Sequence, residues 1–344
     1  MNEETPLVSV PSPKWMKEQS RKWFIHALIF ILLGGLLYWA LKNAPLSEIW
    51  RTIQQLQLWQ IVTLLLLNTL LYILVTLRWW IIVRAEARRV PYLPLLAVRV
   101  AVFGVSYFTL GPQVGGEPLQ VLSLQRKYGL SYTRATASVL MDKLLEFLVN
   151  FLLLALGLTA VFQAGILPEN GIQLTGSLAV LVALIMWPPV HILLMYNHIY
   201  PLTHILRAIS FIPKNSKPVR FLRAAEWMAG TFCQRHPRAL LGALAVSLLA
   251  GLGMLVDYAL MASFLGIHLP FWKIVAGWTA GWLSFLAPLP GGLGALEASQ
   301  VFALGAFGVS AAAAISVTLL MRARDLLIGG LGLLLAGQGF KKSK

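Results

Sequence analysis

The sequence predicts an all-α polytopic membrane protein with about six spanning helices and two oppositely oriented re-entrant helical hairpins that form an inverted repeat. Three observations predict it. Hydrophobic residues make up 58% of the 344 residues and charged residues only 12%; the mean hydropathy is +0.73; and Gly and Pro interrupt two otherwise apolar regions. Soluble domains usually carry about one-quarter charged residues. The single cysteine, Cys233, excludes an internal disulfide and a multi-cysteine metal site.

Six apolar segments are long enough to cross a bilayer, which takes roughly 20 apolar residues. Four qualify readily, namely 24–41, 58–77, 174–196 and 239–265. Two more, 137–162 and 311–338, qualify despite carrying charges. The two interrupted regions are about 92–111 and 273–308. We therefore expect a tail over 1–22 and one membrane domain over 23–340, with repeat cores at about 92–162 and 273–338 and a basic linker at 197–238.

The placement of Lys and Arg predicts the topology, because cytoplasmic loops are enriched in both. The N-terminal tail, the 197–238 linker and the C-terminal end are basic, whereas loop 163–173 has no Lys or Arg. We expect both termini on the cytoplasmic side of the cytoplasmic membrane. The cluster of Arg126, Lys127 and Arg134 is cytoplasmic only if 92–111 enters and returns; if every apolar run crosses, that cluster lies outside. The net charge of +15 flanks apolar spans, so no nucleic-acid partner is expected.

The two interrupted regions resemble each other. The stretch GPQVGGEP at 111–118 matches APLPGGLGALE at 287–297, each with a proline, a Gly-Gly pair and then an acid. A Gly-x-Ser boundary at Gly129 and at Gly308 leads into a charged apolar helix in both cases. Related units inserted from opposite faces are the plan of many secondary transporters. Chance similarity between membrane helices is the alternative.

The Gly-Gly pairs predict breaks in the backbone at membrane depth. Irregular backbone is tolerated there only when it is buried in protein or lines a cavity. Gly115 and Gly116 allow a turn, and Pro118 suits the start of a half-helix whose free N–H groups favour an anion such as phosphate. Gly291 and Gly292 repeat the arrangement. The alternative is a cytoplasmic turn in which Glu117 complements the dipole of its own helix.

Charged residues inside apolar spans are the strongest functional signal. Each costs about 2.5–3.5 kcal/mol at mid-bilayer on insertion scales, so such residues face a partner or a wet cavity. They are Asp142, Lys143, Glu146, Asp257, Glu297, Arg322, Arg324 and Asp325. We expect pairing across the two halves, for example Asp142 or Glu146 with Arg322 or Arg324. A purely structural ion pair is the alternative.

These features resemble the transmembrane domain of lysylphosphatidylglycerol synthases and its stand-alone, flippase-like relatives. The resemblance rests on GGEPLQVLSLQRKYGLSYTRATASVLMDKLLEF in the first half and PLPGGLGALEASQ in the second, and it extends from about residue 20 to 340. In the full-length synthases this domain is thought to move aminoacylated phospholipid between leaflets. The resemblance implies transport without the soluble aminoacyltransferase domain.

The leading hypothesis is therefore a flippase for a phospholipid or a polyprenyl-phosphate-type lipid, and not an enzyme. Gly115, Gly116, Glu117 and Pro118 would shape one entrance of a central cavity, and Gly291, Gly292 and Glu297 the other. Arg322 and Arg324 would attract the headgroup, while Asp142 and Glu146 would balance charge or carry a coupling proton. No Walker motif and no cofactor are expected. The alternatives are an integral-membrane lipid-phosphate enzyme and an accessory subunit of a lipid-linked glycosyltransferase.

Overall fold

The structure is a computed structural model that describes residues 54, 56–87, 89–109, 115–163, 171–209, 213, 216–286, 289–292 and 294–341. Within these residues it contains eleven α-helices, one 3-10 turn and no strand. The helices are α1 (Leu58–Glu86), α2 (Tyr92–Phe108), α3 (Glu117–Tyr128), α4 (Tyr132–Gln163), α5 (Gly171–Tyr196), α6 (Pro201–Ala208), α7 (Lys217–Arg235), α8 (Pro237–Phe264), α9 (Phe271–Ser284), α10 (Ala295–Gly305) and α11 (Ala311–Lys341), with the 3-10 turn at Pro290–Gly292. The predicted tail and the span 24–41 lie outside the described residues, as do residues 111–114.

Helix α3 follows from its local sequence. It begins at Glu117, with Pro118 in the first turn, where the missing proline N–H leaves no hydrogen bond unmade. It ends before Gly129, whose φ of +67° lies in the left-handed region that favours glycine. The Gly129 amide donates to the Gln125 carbonyl. The predicted start of a new helix beside Pro118 is confirmed to within one residue.

Among the described residues, two helices are long and apolar enough to cross a bilayer, α1 and α8. A third candidate is the pair formed by Val182–Tyr196 and α6, whose axes bend by 98°. The predicted spans 137–162 and 311–338 lie within α4 and α11, which are 32 and 31 residues long but contain the charges of the predicted site. The chain is thus an all-helical membrane protein with two or three candidate spans in its described part.

The basic linker is organised around a buried carboxylate. Glu226 of α7 accepts hydrogen bonds from the amides of Leu202 and Thr203, at 2.8 Å each, and from the Thr203 hydroxyl at 2.6 Å. Burial acts to raise the pKa of Glu226, but the nearby His191 imidazole and these hydrogen bonds outweigh burial and hold the pKa below its usual value. The first turn of α6 is thereby fixed against α7.

Two series of four helices have matching lengths. Helices α1 to α4 contain 29, 17, 12 and 32 residues, and α8 to α11 contain 28, 14, 11 and 31. The first members of the two series, α1 and α8, pack against each other. In addition α2 packs against α11, and α9 packs against α4. Each series therefore buries its second helix against the last helix of the other.

Glycines bring α2 and α11 into backbone contact. A β-carbon on Gly104 of α2 would lie 2.5 Å from the Gly329 carbonyl oxygen and 2.8 Å from the Leu333 amide nitrogen. A β-carbon on Gly332 of α11 would collide with the Val100 carbonyl oxygen. Small residues allow membrane helices to approach this closely. Because backbone atoms surround both glycines, neither contact can be relieved by a side-chain movement.

We expect Gly332→Ala to lower the free energy of unfolding by about 2 kcal/mol or more, since the added methyl group overpacks a backbone contact. The measurement is thermal or denaturant unfolding of the purified protein in detergent. Gly330→Ala is the matched control, because a β-carbon there meets nothing within 4 Å. Equal stability of the two variants would contradict the packing of α2 on α11.

Candidate functional site

A cavity of ≈ 230 Å³ lies among the helices of both series. Its walls are largely apolar, with side chains such as Leu71, Val102, Met254 and Trp282. Charged side chains of both signs also line it, and these are Arg78, Arg99, Glu117, Lys143, Glu146, Asp257, Arg324 and Asp325. An apolar pocket with a few convergent charged groups is the usual form of a ligand site.

Two arginines and two carboxylates form the first cluster in the cavity wall. Arg78 of α1 reaches Asp142 through Nε at 2.6 Å and Glu146 through Nη2 at 2.8 Å. Arg99 of α2 contacts the same two carboxylates, at 2.8 and 3.2 Å. The remaining Arg78 donor, Nη1, bonds the Ser247 hydroxyl of α8 at 3.1 Å. This cluster joins four helices.

Lys143 extends the first cluster to the half-helix α3. Its Nζ lies 3.1 Å from Glu146 and 3.4 Å from Glu117. With Lys143 and Glu117 included, three cations face three carboxylates, so the first cluster is electrically balanced. Arg99 and Lys143 both reach the cavity, whereas the Asp142 side chain is fully buried behind the arginines. Cations at the cavity wall are therefore held in place by carboxylates behind or beside them.

The second cluster holds the Gly-Gly turn of the second half. Arg322 of α11 forms a two-pronged ion pair with Glu297 of α10, at 2.5 and 2.8 Å. The same guanidinium donates to the carbonyl oxygens of Gly291 at 2.9 Å and Gly292 at 3.3 Å. Neither Arg322 nor Glu297 lines the cavity described above. Arg322 therefore binds the backbone of the Gly291-Gly292 turn and does not face the cavity.

The third cluster lies in the cavity wall near α1, α8 and α11. Arg324 of α11 pairs with Asp257 of α8 and, through Nε at 2.8 Å, with its neighbour Asp325. Asn68 of α1 donates to Asp257 Oδ2 at 3.3 Å. One guanidinium is therefore shared by two carboxylates, and these four residues carry a formal net charge of −1.

The expected pairing between the halves is wrong. Asp142 and Glu146 pair with Arg78 and Arg99, not with Arg322 or Arg324. The second-half arginines instead pair with Glu297, Asp257 and Asp325 of their own series. The physical reason is that Arg78 of α1 and Arg99 of α2 reach the carboxylates of α4, whereas the arginines of α11 reach acids of α8, α10 and α11 itself.

Carboxylates occupy the starts of both half-helices. Glu117 Oε2 accepts the Gly115 amide at 2.7 Å, and Glu297 Oε2 accepts the Gly294 amide at 2.9 Å. The Gly116 amide donates to the Ser106 hydroxyl at 2.8 Å. These three amides, which precede the two half-helices, are therefore satisfied within the protein.

Both Gly-Gly pairs contain a glycine that the turn requires, since Gly115 of the first pair has a φ of +132°, but Gly116 is needed for a different reason. Gly116 has a φ of −92°, which any residue adopts, but a β-carbon there would collide with the Val102 carbonyl of α2. Its requirement is close packing, so the expectation that Gly116 is needed for turn shape is wrong. Gly291 and Gly292 have φ of +57° and +62°, and for them the turn itself requires glycine.

Among the polar residues of the site that were not predicted are Arg78, Arg99 and Asn68. All three lie inside apolar runs, and Arg99 stands alone within LAVRVAVFG. A charge in such a run is the same signal that identified Asp142. The predicted span 58–77 stops one residue before Arg78. The helix continues for two further turns, to Glu86.

One comparison with known proteins identifies the chain's relatives. The family described as "Lysylphosphatidylglycerol synthase TM region" matches residues 23–332. No curated protein and no solved structure matches the chain. The matched range contains all three charged clusters and both Gly-Gly turns.

Proposed function

From the premise that the chain belongs to the lysylphosphatidylglycerol synthase TM region family, we propose that it is a flippase. It would move a phosphate-bearing lipid, whether anionic, aminoacylated or isoprenoid, across the cytoplasmic membrane. Family membership indicates a membrane lipid-related function. The observation that carries the finer proposal is the cavity, where Arg99, Lys143 and Arg324 face a space whose walls are largely apolar. Such a space accepts a charged headgroup together with part of its chains.

The matching helix series support an inverted repeat. Each series contains a long helix, two short helices and a second long helix. Glu117 of α3 pairs with Lys143 of α4, and Glu297 of α10 pairs with Arg322 of α11, so each half-helix acid meets a base of the helix that follows it. Helix α2 packs against α11 of the second half, and α9 packs against α4 of the first half. A two-fold axis between the halves produces this reciprocal pattern of contacts. In this proposal α2 with α3, and α9 with α10, are the two re-entrant hairpins.

The proposed topology has six spans and both termini in the cytoplasm. It uses the span at 24–41, the helices α1, α4, α5, α8 and α11, and the two hairpins. The basic residues at the ends of α3 and α7 support it, because both helices would then face the cytoplasm. Cysteines introduced at position 268 should label from outside, and those at 128 should not. Outside labelling at 128 would contradict the re-entrant arrangement.

The roles of the site residues follow from their positions. Arg99, Lys143 and Arg324 would meet the phosphate, because all three line the cavity. Asp142 and Glu146 hold the arginines in place, and Glu117 and Glu297 cap the half-helices. Arg322 stabilises the Gly291-Gly292 turn. Gly115, Gly116 and Pro118 shape the entry to α3, and Asp325 shares Arg324 with Asp257.

The alternatives are an integral-membrane enzyme acting on lipid phosphate and an accessory subunit of a lipid-linked glycosyltransferase. Purified protein incubated with headgroup-labelled lipid separates the first alternative from the flippase, because an enzyme releases or transfers the label and a flippase returns the lipid intact. Copurification of a glycosyltransferase, without transport in liposomes, would favour the second.

The test of the proposal is transport in liposomes by Lys143→Gln. We expect transport of an anionic phospholipid to fall about tenfold, because one charge-assisted contact to phosphate is lost. Thermal stabilisation by the same lipid should fall as well, with a smaller change for a zwitterionic lipid. Arg134→Gln is the matched control, because Arg134 is half exposed and pairs with Glu86 outside the cavity. Unchanged transport and lipid response in Lys143→Gln would contradict the headgroup site.

A further inference from the structure

The three clusters differ in charge balance. In the first, Arg78, Arg99 and Lys143 face three carboxylates, and in the second, Arg322 faces Glu297. In the third, Arg324 alone faces both Asp257 and Asp325. An uncompensated carboxylate charge is expensive in an apolar environment and favours binding of a cation. The excess charge of the cavity is therefore located at one place.

Within this cluster, one carboxylate oxygen of Asp257 lacks a hydrogen-bond partner among the described residues. The residue is 2% exposed. Its Oδ2 accepts from Asn68 and Arg324, whereas its Oδ1 is buried and has no hydrogen-bond partner among the described residues. Buried carboxylate oxygens without a partner are rare, and each calls for a missing donor. A proton on Oδ1 would neutralise the excess charge and turn the unpaired carboxylate oxygen into a hydroxyl group.

Side chains from several helices surround Asp257. From α1, Asn68 and Tyr72 face the cluster, and from α11, Arg324 and Asp325. The neighbouring Tyr258 of α8 itself is engaged elsewhere, since its hydroxyl donates to Gln300 at 2.5 Å. The cavity lining from α9, Trp278 and Trp282, is uncharged, whereas α4 contributes Lys143 and Glu146 beside Val149 and Asn150. Arg99 of α2 also lines the cavity and acts electrostatically on Tyr72. In the described chain, Arg324 is the one cation in contact with Asp257.

We propose that Asp257 binds the proton whose movement is coupled to lipid transport. A proton from the aqueous phase adds to Oδ1, which neutralises the cluster without breaking any covalent bond, and it leaves to the opposite side when the cavity reopens. This inference rests on the proposed flippase function. It transfers the coupling role from Asp142 and Glu146, because two arginines already neutralise those carboxylates.

A proton fits this cluster better than a metal ion. Among the described residues, no group of three or more His, Cys, Asp or Glu side chains is placed to hold a metal. Asp257 and Asp325 are separated by the guanidinium that both contact, so they do not form a joint oxygen cage. A carboxyl group needs only one proton and no further ligands to become neutral.

The direct test is pH-difference infrared spectroscopy of the purified protein. We expect a carboxylic acid C=O band equivalent to about one proton per molecule, which declines as the pH is raised. The band should be lost in Asp257→Asn and kept in the matched control Glu117→Gln, since Glu117 is a cavity carboxylate of the balanced cluster. Arg324→Gln removes the cation that Asp257 and Asp325 share, so the carboxylic acid band of this variant should be larger than that of the natural protein. Absence of the band from the natural protein, or its persistence in Asp257→Asn, would overturn the proposal.

A second measurement separates the proton from the transport function. In liposomes, an imposed pH gradient should accelerate lipid movement by the natural protein severalfold, and Asp257→Asn should lose that response. If lipid moves at the same rate with and without the gradient, the coupling is wrong even where transport is confirmed. If no lipid moves at all but the infrared band depends on Asp257, the flippase proposal fails and the proton site stands.

Discussion

Replacing Asp142 with asparagine is expected to lower the free energy of unfolding by about 3–5 kcal/mol, because it leaves two buried arginines to share Glu146 alone. Asp142 is fully buried, and each of its oxygens meets a different guanidinium. An asparagine of the same shape keeps one acceptor and introduces an NH₂ group that faces a cation. The measurement is denaturant unfolding in detergent, together with the yield of folded protein.

Two further variants make that result specific. The double substitution of Asp142→Asn with Arg99→Gln restores the charge balance, so it should recover at least half of the lost stability. Glu86→Gln removes a carboxylate from the partly exposed pair with Arg134 and should cost no more than about 1 kcal/mol. If Asp142→Asn costs as little as Glu86→Gln, the buried cluster does not stabilise the fold.

Arg322→Gln is expected to lower stability by about 3 kcal/mol, because one guanidinium bonds Glu297 twice and two backbone carbonyls once each. The carbonyls belong to Gly291 and Gly292, whose left-handed conformations need outside support. The variant should also reduce lipid transport, since the turn precedes α10. Unfolding and transport are to be measured on the same preparations.

Arg322→Lys divides the two contributions of the guanidinium. Lysine keeps the charge beside Glu297 but cannot reach the carboxylate and both carbonyls together, so we expect an intermediate loss of stability. Arg324→Lys provides the comparison, because Arg324 lines the cavity and should affect transport more than stability. Full stability of Arg322→Gln would show that the turn does not depend on this side chain.

Much of the fold class was predictable from local sequence. Low charge content and long apolar runs predicted a helical membrane protein, which the structure and the family both confirm. Gly116 and Pro118 predicted the break before α3, because proline and glycine act on the backbone within one turn. The charged residues Asp142 and Arg324 were correctly expected to have ionic partners. The six-span count and the inverted repeat remain predictions.

The partners themselves could not be predicted, because they depend on which helices touch. Arg78 and Asp142 are 64 positions apart, and helical periodicity shows which face each occupies but not which helix it meets. The role of Gly116 was missed for the same reason, since its φ is ordinary and only the neighbouring α2 makes a side chain impossible there. The net charge of the Asp257 cluster likewise appears only when Arg324 is seen to serve two carboxylates.

The contact between Gly104 and Gly332 joins two helices that are far apart in the sequence, so it forms late in synthesis. A chain enters the membrane from its N-terminus as it is synthesised, so α2 is inserted about 230 residues before the helix against which it packs. Insertion of α11, the last of the described helices in chain order, both covers the glycines of α2 and supplies Arg324 to Asp257. The cavity wall described above is therefore incomplete until α11 has entered the membrane.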